Sequence, residues 1–143
     1  MKFIKQNFFF FILILIISLL FVLELFSFPG RPAAFDSNIH ITNIAQFSQI
    51  IKEKEFPVVW VNNIANYGLP VGIVAQQFTN YLGGLINLLI TNPTATYNIL
   101  IFIAVFLSNI LLYFFLRLYF SPLASFLGTF IFCFTPYHIF NIY

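Results

Sequence analysis

The sequence predicts an all-α integral membrane protein: about three transmembrane helices and an extracytoplasmic loop with short helices of its own. Three observations predict it. Apolar residues make up 61% of the 143 positions and charged residues 7%, against about 45–50% and about 25% in ordinary globular chains. Phenylalanine alone fills 22 positions. The few charges are bunched, with Arg31, Asp36, Lys52, Glu53, Lys54 and Glu55 all between Ser27 and Thr96. So little charge cannot cover so much apolar surface, and lipid is the expected solvent and partner. A net charge of +2 with no basic stripe excludes a nucleic-acid partner. The single cysteine, Cys133, lies in an apolar run. With no second cysteine there is no disulfide within the chain, and cysteine usage says nothing of compartment.

The first element, residues 1–26, is a signal-anchor helix. Its uncharged part, Phe8 to Leu23, is about 16 residues or about 24 Å as a helix, enough to nearly span a hydrocarbon core of about 30 Å. A cleaved signal peptide is the rival reading, but no clear small-residue cleavage site follows directly.

Residues 27–96 form the extracytoplasmic loop domain. It holds five of the seven prolines. Within it "SNIHITNIAQFSQIIKEK" is helical, because Ile41, Ile44, Phe47 and Ile51 recur at three- and four-residue steps. Ser37 or Asp36 is placed to cap it. "FPVVWVNNIANYGLPVG" follows as loop, broken by Pro57, Gly68 and Pro70. "VAQQFTNYLGGLINLLI" is apolar but short and carries Gln76, Gln77, Asn80 and Asn87, which suits an interfacial or re-entrant helix better than a full span.

Residues 97–143 are a transmembrane hairpin with spans at about 97–116 and 122–136. Pro122 is placed to start a helix and Pro136 to end one. Arg117 in the tight turn, with Lys2 and Lys5, puts the N-terminus and that turn in the cytoplasm by the positive-inside rule. The 27–96 loop and "TPYHIFNIY" then lie on the extracytoplasmic side of a multi-pass cell-membrane protein.

Asp36 and His40 are one helical turn apart and share a face with Asn43. The topology brings the other histidine, His138, to the same membrane surface. A carboxylate there is suited to act as general base for a hydroxyl, with an imidazole beside it to orient it or donate to a phosphate. The blander readings are a helix cap for Asp36, a solvated ring for His40, and an interfacial aromatic belt for Tyr137 and His138.

The ordered set Asp36 with His40, Pro57 with Trp60, "NYGLP" at 66–70 and "TPYHIFNIY" at 135–143 resembles the N-terminal part of bacterial integral membrane proteins with a 6-pyruvoyl-tetrahydropterin synthase-related membrane domain. Those in turn resemble the type C glycosyltransferase superfamily. The resemblance covers roughly Pro29 to Tyr143. It implies a polytopic fold and a large extracytoplasmic first loop with an acidic residue near the end of the first helix. It also implies a polyprenyl-phosphate-linked sugar as donor substrate, used on the outer membrane face. On that pattern Asp36 is the catalytic base and His40 its neighbour, with Tyr137 and His138 as further substrate contacts. Arg31, close to Asp36 in sequence, is placed either to meet a substrate phosphate or to snorkel to the lipid headgroups. A divalent metal is left open, since one aspartate and two histidines do not define a site. The family is several times longer, so the chain is expected to be an N-terminal fragment, inactive by itself. Two alternatives stand: a small non-catalytic membrane scaffold that binds a partner through its loop, and a fragment of a transporter.

Overall fold

The computed structural model describes residues 2–27, 37–61, 68, 70 and 77–142. Among the described residues the regular structure is helical: α1 (Lys2–Ser27), α2 (Ser37–Lys52), α3 (Gln77–Ile90), α4 (Pro93–Leu116), α5 (Pro122–Cys133) and α6 (Pro136–Ile142). Two stretches are long and apolar enough to cross a membrane, Asn7–Ser27 in α1 and Pro93–Leu116 in α4. The chain divides into two compact units, Met1–Ala34 with Ile101–Tyr143, and Phe35–Leu100.

In the first unit an apolar cluster forms from Ile17, Phe21, Val22 and Leu25 of α1 with Cys133 of α5, and Ile101, Phe102 and Val105 of α4 pack against it. The polar side chains of these helices also turn inward. Asn109 Nδ2 donates to Ser18 Oγ at 2.9 Å, and the Tyr113 hydroxyl donates to Asn7 Oδ1 at 2.7 Å. Ser125 and Thr129, both buried, donate their hydroxyls to the carbonyls of Ser121 and Ser125, each at 2.9 Å. Phe8, Leu20, Leu111, Phe115 and Ile131 face outward. A water-soluble helix does the reverse.

Two boundaries differ from the expected spans. Helix α4 begins at Pro93 rather than near residue 97. Asn92 caps it by accepting from Ala95 N at 3.1 Å, and proline is pre-set for the first helical position. Helix α5 stops at Cys133, about 18 Å long at 1.5 Å per residue. Pro136 lacks an N–H and disfavours helix at the residue before it. Phe134 has already left helical geometry (φ −98°, ψ 22°), and α6 starts on Pro136.

In the second unit α2 and α3 pack face to face. Gly83 and Gly84 make the approach close: a Cβ on Gly83 would lie 2.7 Å from Ile44 Cγ1, and one on Gly84 would lie 3.1 Å from the Phe47 carbonyl carbon. Helix α2 ends in a Schellman motif, with Glu55 N on Ile50 O and Lys54 N on Ile51 O and Lys54 in the left-handed region at φ 64°. The following segment is pinned to α3, because Val58 N donates to the Tyr81 hydroxyl at 2.6 Å. Phe47, Ile50, Val58 and Val61 form the core.

Candidate functional site

Asp36 and Arg31, the proposed base and phosphate contact, lie outside the described residues. Their neighbour His40 is described, in the first turn of α2. It is half-buried, and its ring stacks on that of Tyr97 with centroids 6.2 Å apart and planes 13° from parallel. Tyr97 is in the second turn of α4, a helix whose start is fixed by the Asn92 cap. That cap therefore sets where the phenol ring stands.

The neighbourhood of this stack is polar. Thr96, adjacent to Tyr97, donates to Asn87 Oδ1 of α3 at 3.3 Å within the protein interior. Asn43 follows His40 by three residues, on the same face of α2. Asn43 and Asn80 are both buried, and Asn43 Oδ1 and Asn80 Nδ2 make no hydrogen bond. Such a group costs about 1–3 kcal/mol, and in native proteins it asks for an explanation, a functional one among others. The second unit therefore holds an imidazole–phenol stack and, elsewhere between its helices, two buried amides with an unpaired polar atom each.

His138 and Tyr137 belong to the first unit, at the start of α6. The carbonyl of Phe132 can only accept, so the 3.0 Å contact with His138 Nδ1 puts the proton on that nitrogen. In the neutral ring Nε2 then carries the lone pair. The imidazole also meets the Phe132 ring edge-on at 4.6 Å. The same carbonyl accepts from the Thr135 backbone N–H at 3.2 Å and the Thr135 hydroxyl at 3.0 Å. His138 thus closes the C-terminal end of α5, while Tyr137 is exposed.

At the other end of the first unit stands a group that spacing along the chain did not single out. Asn7 Oδ1 accepts both from Tyr113 and from Arg117 Nε, the latter at 3.1 Å, and Arg117 Nη1 donates to Phe120 O at 2.6 Å. This ties the lysine-bearing start of α1 to the arginine turn after α4. The available signal was the four-residue step Asn109, Tyr113, Arg117, one polar stripe on an otherwise apolar helix.

Among the described residues no three histidine, cysteine, aspartate or glutamate side chains gather as a metal site would require. No protein family, no curated protein and no solved structure matches the chain.

Proposed function

We propose that the chain is part of a multi-pass membrane protein of the type C glycosyltransferase kind, transferring sugar from a polyprenyl-phosphate donor at the extracytoplasmic face. The observation that carries the membrane part is the inverted polarity of the first unit. Ser18, Asn109, Ser125 and Thr129 are inside and hydrogen-bonded, beside the buried apolar cluster, while Phe8, Leu20, Leu111 and Phe115 face out. In lipid, helices gain nothing by burying leucine against each other, so small and polar residues mediate their contacts. Asn109 and Ser18 satisfy each other between two helices, while Ser125 and Thr129 bond to carbonyls of their own helix, which supports a packing role over a transport path. The Asn7–Arg117 hydrogen bond gathers Lys2, Lys5 and Arg117 at one end of the unit, which supports placing that end in the cytoplasm.

The sugar-transfer part rests on the sequence resemblance and on the stack of His40 with Tyr97. Asp36 takes the proton of the acceptor hydroxyl as its oxygen bonds to the anomeric carbon and the lipid phosphate leaves. His40, held flat on Tyr97, orients the carboxylate, and Arg31 meets the phosphate. Tyr137 and His138 serve as further substrate contacts.

The test uses the protein expressed from its complete reading frame, in membrane vesicles supplied with a labelled polyprenyl-phosphate sugar. Asp36→Asn is expected to abolish label transfer while a thiol reporter at Gln49 still reacts from outside the cell. Retained transfer removes Asp36 from the site. A parent protein that inserts normally but transfers no label leaves the non-catalytic scaffold as the reading.

A further inference from the structure

Helix α3 is built inside out. Its face against α2 carries Asn80, Gly83, Gly84 and Asn87, all buried. Its opposite face carries Phe78, Leu85 and Leu89, which are 79%, 52% and 87% exposed. Phe56, 78% exposed, extends that surface, since its ring lies 5.5 Å from that of Tyr81. In water this arrangement is unfavourable twice over, with apolar side chains hydrated and amides desolvated. The partner helix α2 turns Ile41, Ile44 and Phe47 inside together with Ser37, Asn43 and Ser48, and its exposed positions are mainly polar, Asn38, Gln49 and Lys52 beside Ile39. The second unit therefore has one mainly polar outward helix face, on α2, and one apolar outward helix face, on α3.

We propose that the apolar face of α3 is a lipid-contact surface, sunk into the outer half of a bilayer, and that α2 forms the water side of the same unit. The proposal rests on the membrane reading of α4. Two residues, Thr91 and Asn92, join α3 to α4. They reach about 7–10 Å, so a bilayer crossed by α4 holds the end of α3 at its surface. Helix α3 has 14 residues, about 21 Å at 1.5 Å per residue, which falls short of the roughly 30 Å of a full crossing. A helix lying at the interface or dipping into one leaflet satisfies both constraints. The occupant is acyl chain rather than a protein, because α3 repeats the outward leucine and phenylalanine and inward amides of the first unit.

The test is nitroxide labelling of single cysteines at Phe78, Leu85 and Leu89 in the whole chain, reconstituted in phosphatidylethanolamine–phosphatidylglycerol vesicles. Gln49 on α2 serves as the water reference and Leu111 on α4 as the lipid reference. Collision with oxygen and with a water-soluble nickel chelate is read at each site. The oxygen-to-nickel ratio is expected to be several-fold higher at all three α3 positions than at Gln49, and to approach that at Leu111. Ratios like Gln49 at Leu85 and Leu89, with Leu111 still lipid-like, overturn the α3 proposal and spare the membrane reading. Exclusion of both reagents at those sites also overturns it, in favour of a protein partner. A water-like ratio at Leu111 removes the membrane reading, and the α3 proposal with it.

Discussion

Gly84→Ala is expected to lower stability and Gly128→Ala is not, although the closer contact is the one at Gly128. A methyl group on Gly128 would meet Leu116 Cδ1 at 2.8 Å, whereas one on Gly84 would meet Phe47 Cβ at 3.0 Å and the Phe47 carbonyl carbon at 3.1 Å. Leu116 Cδ1 is the end of a flexible side chain and swings aside. The atoms of Phe47 sit on or next to the backbone of α2 and move only if the helix moves. Each alanine gains about 0.8–1 kcal/mol of helix propensity. Overpacking at Gly84 costs about 1–3 kcal/mol, so Gly84→Ala nets roughly 1 kcal/mol of destabilisation. For a unit of this size that is a fall in Tm of about 4–8 °C. Gly128→Ala is expected to hold or raise the Tm of the first unit. The chain carries one probe for each unit: Trp60, its single tryptophan, lies in the second, and Cys133, its single buried cysteine, in the first. Trp60 emission and Cys133 reaction with a thiol-activated dye are followed during heating. A Gly84→Ala variant whose Trp60 transition rises, or a Gly128→Ala variant whose Cys133 transition falls by more, refutes the reasoning.

Two further outcomes use the same probes. Thr91 is β-branched yet sits at φ 56°, a left-handed conformation that costs about 1–2 kcal/mol. Thr91→Gly removes that strain, less about 0.5–1 kcal/mol for the freer unfolded chain, so the Trp60 transition should rise by a few degrees, and a fall contradicts the strain. Tyr113→Phe deletes one donor to Asn7 Oδ1 but leaves the Arg117 donor at 3.1 Å, a loss of about 0.6 kcal/mol by analogy with other membrane helix pairs. Asn7→Leu takes the acceptor from the buried Tyr113 hydroxyl and should cost more, about 1–3 kcal/mol. Equal shifts of the Cys133 transition in the two variants contradict the shared-acceptor geometry.

Much of the helix pattern was legible because it is written locally. Ile41, Ile44, Phe47 and Ile51 mark one face of α2, and Pro122 marks where α5 begins. Pro136, expected to end a helix, also starts α6. The start of α4 was obscured because Thr94, Thr96 and Asn98 look like loop. The Asn92–Pro93 cap, rather than hydropathy, decides it. Pairings across the chain leave no local trace: Ser18 and Asn109 are 91 positions apart. In the site, the four-residue step from Asp36 to His40 was visible, but the ring that His40 stacks on was not, since Tyr97 arrives on another helix. Asp36 and Arg31 lie outside the described residues, so what is described beside His40 is Tyr97. The outward stripe of α3, Phe78, Leu85 and Leu89, lies at seven- and four-residue steps in the sequence, but only the segment's shortness and its amides entered the expectation of an interfacial or re-entrant helix. Periodicity identifies such a stripe without telling which side is covered, because water and lipid demand opposite answers from the same residues.

That ambiguity bears on chemistry. A hydroxyl attacking a lipid-borne sugar must do so at headgroup depth, because the polyprenyl tail holds the phosphate near the acyl boundary. If the apolar face of α3 lies in lipid and α2 faces water, the second unit straddles that boundary. His40 on α2 stacks against Tyr97 near the start of α4, and Thr96 beside it bonds to Asn87 of α3. The imidazole therefore belongs to the helix proposed to face water and stacks on a ring of the helix proposed to cross the bilayer. At headgroup depth the dielectric is lower than in bulk water, and a charge-assisted hydrogen bond is stronger than in solution.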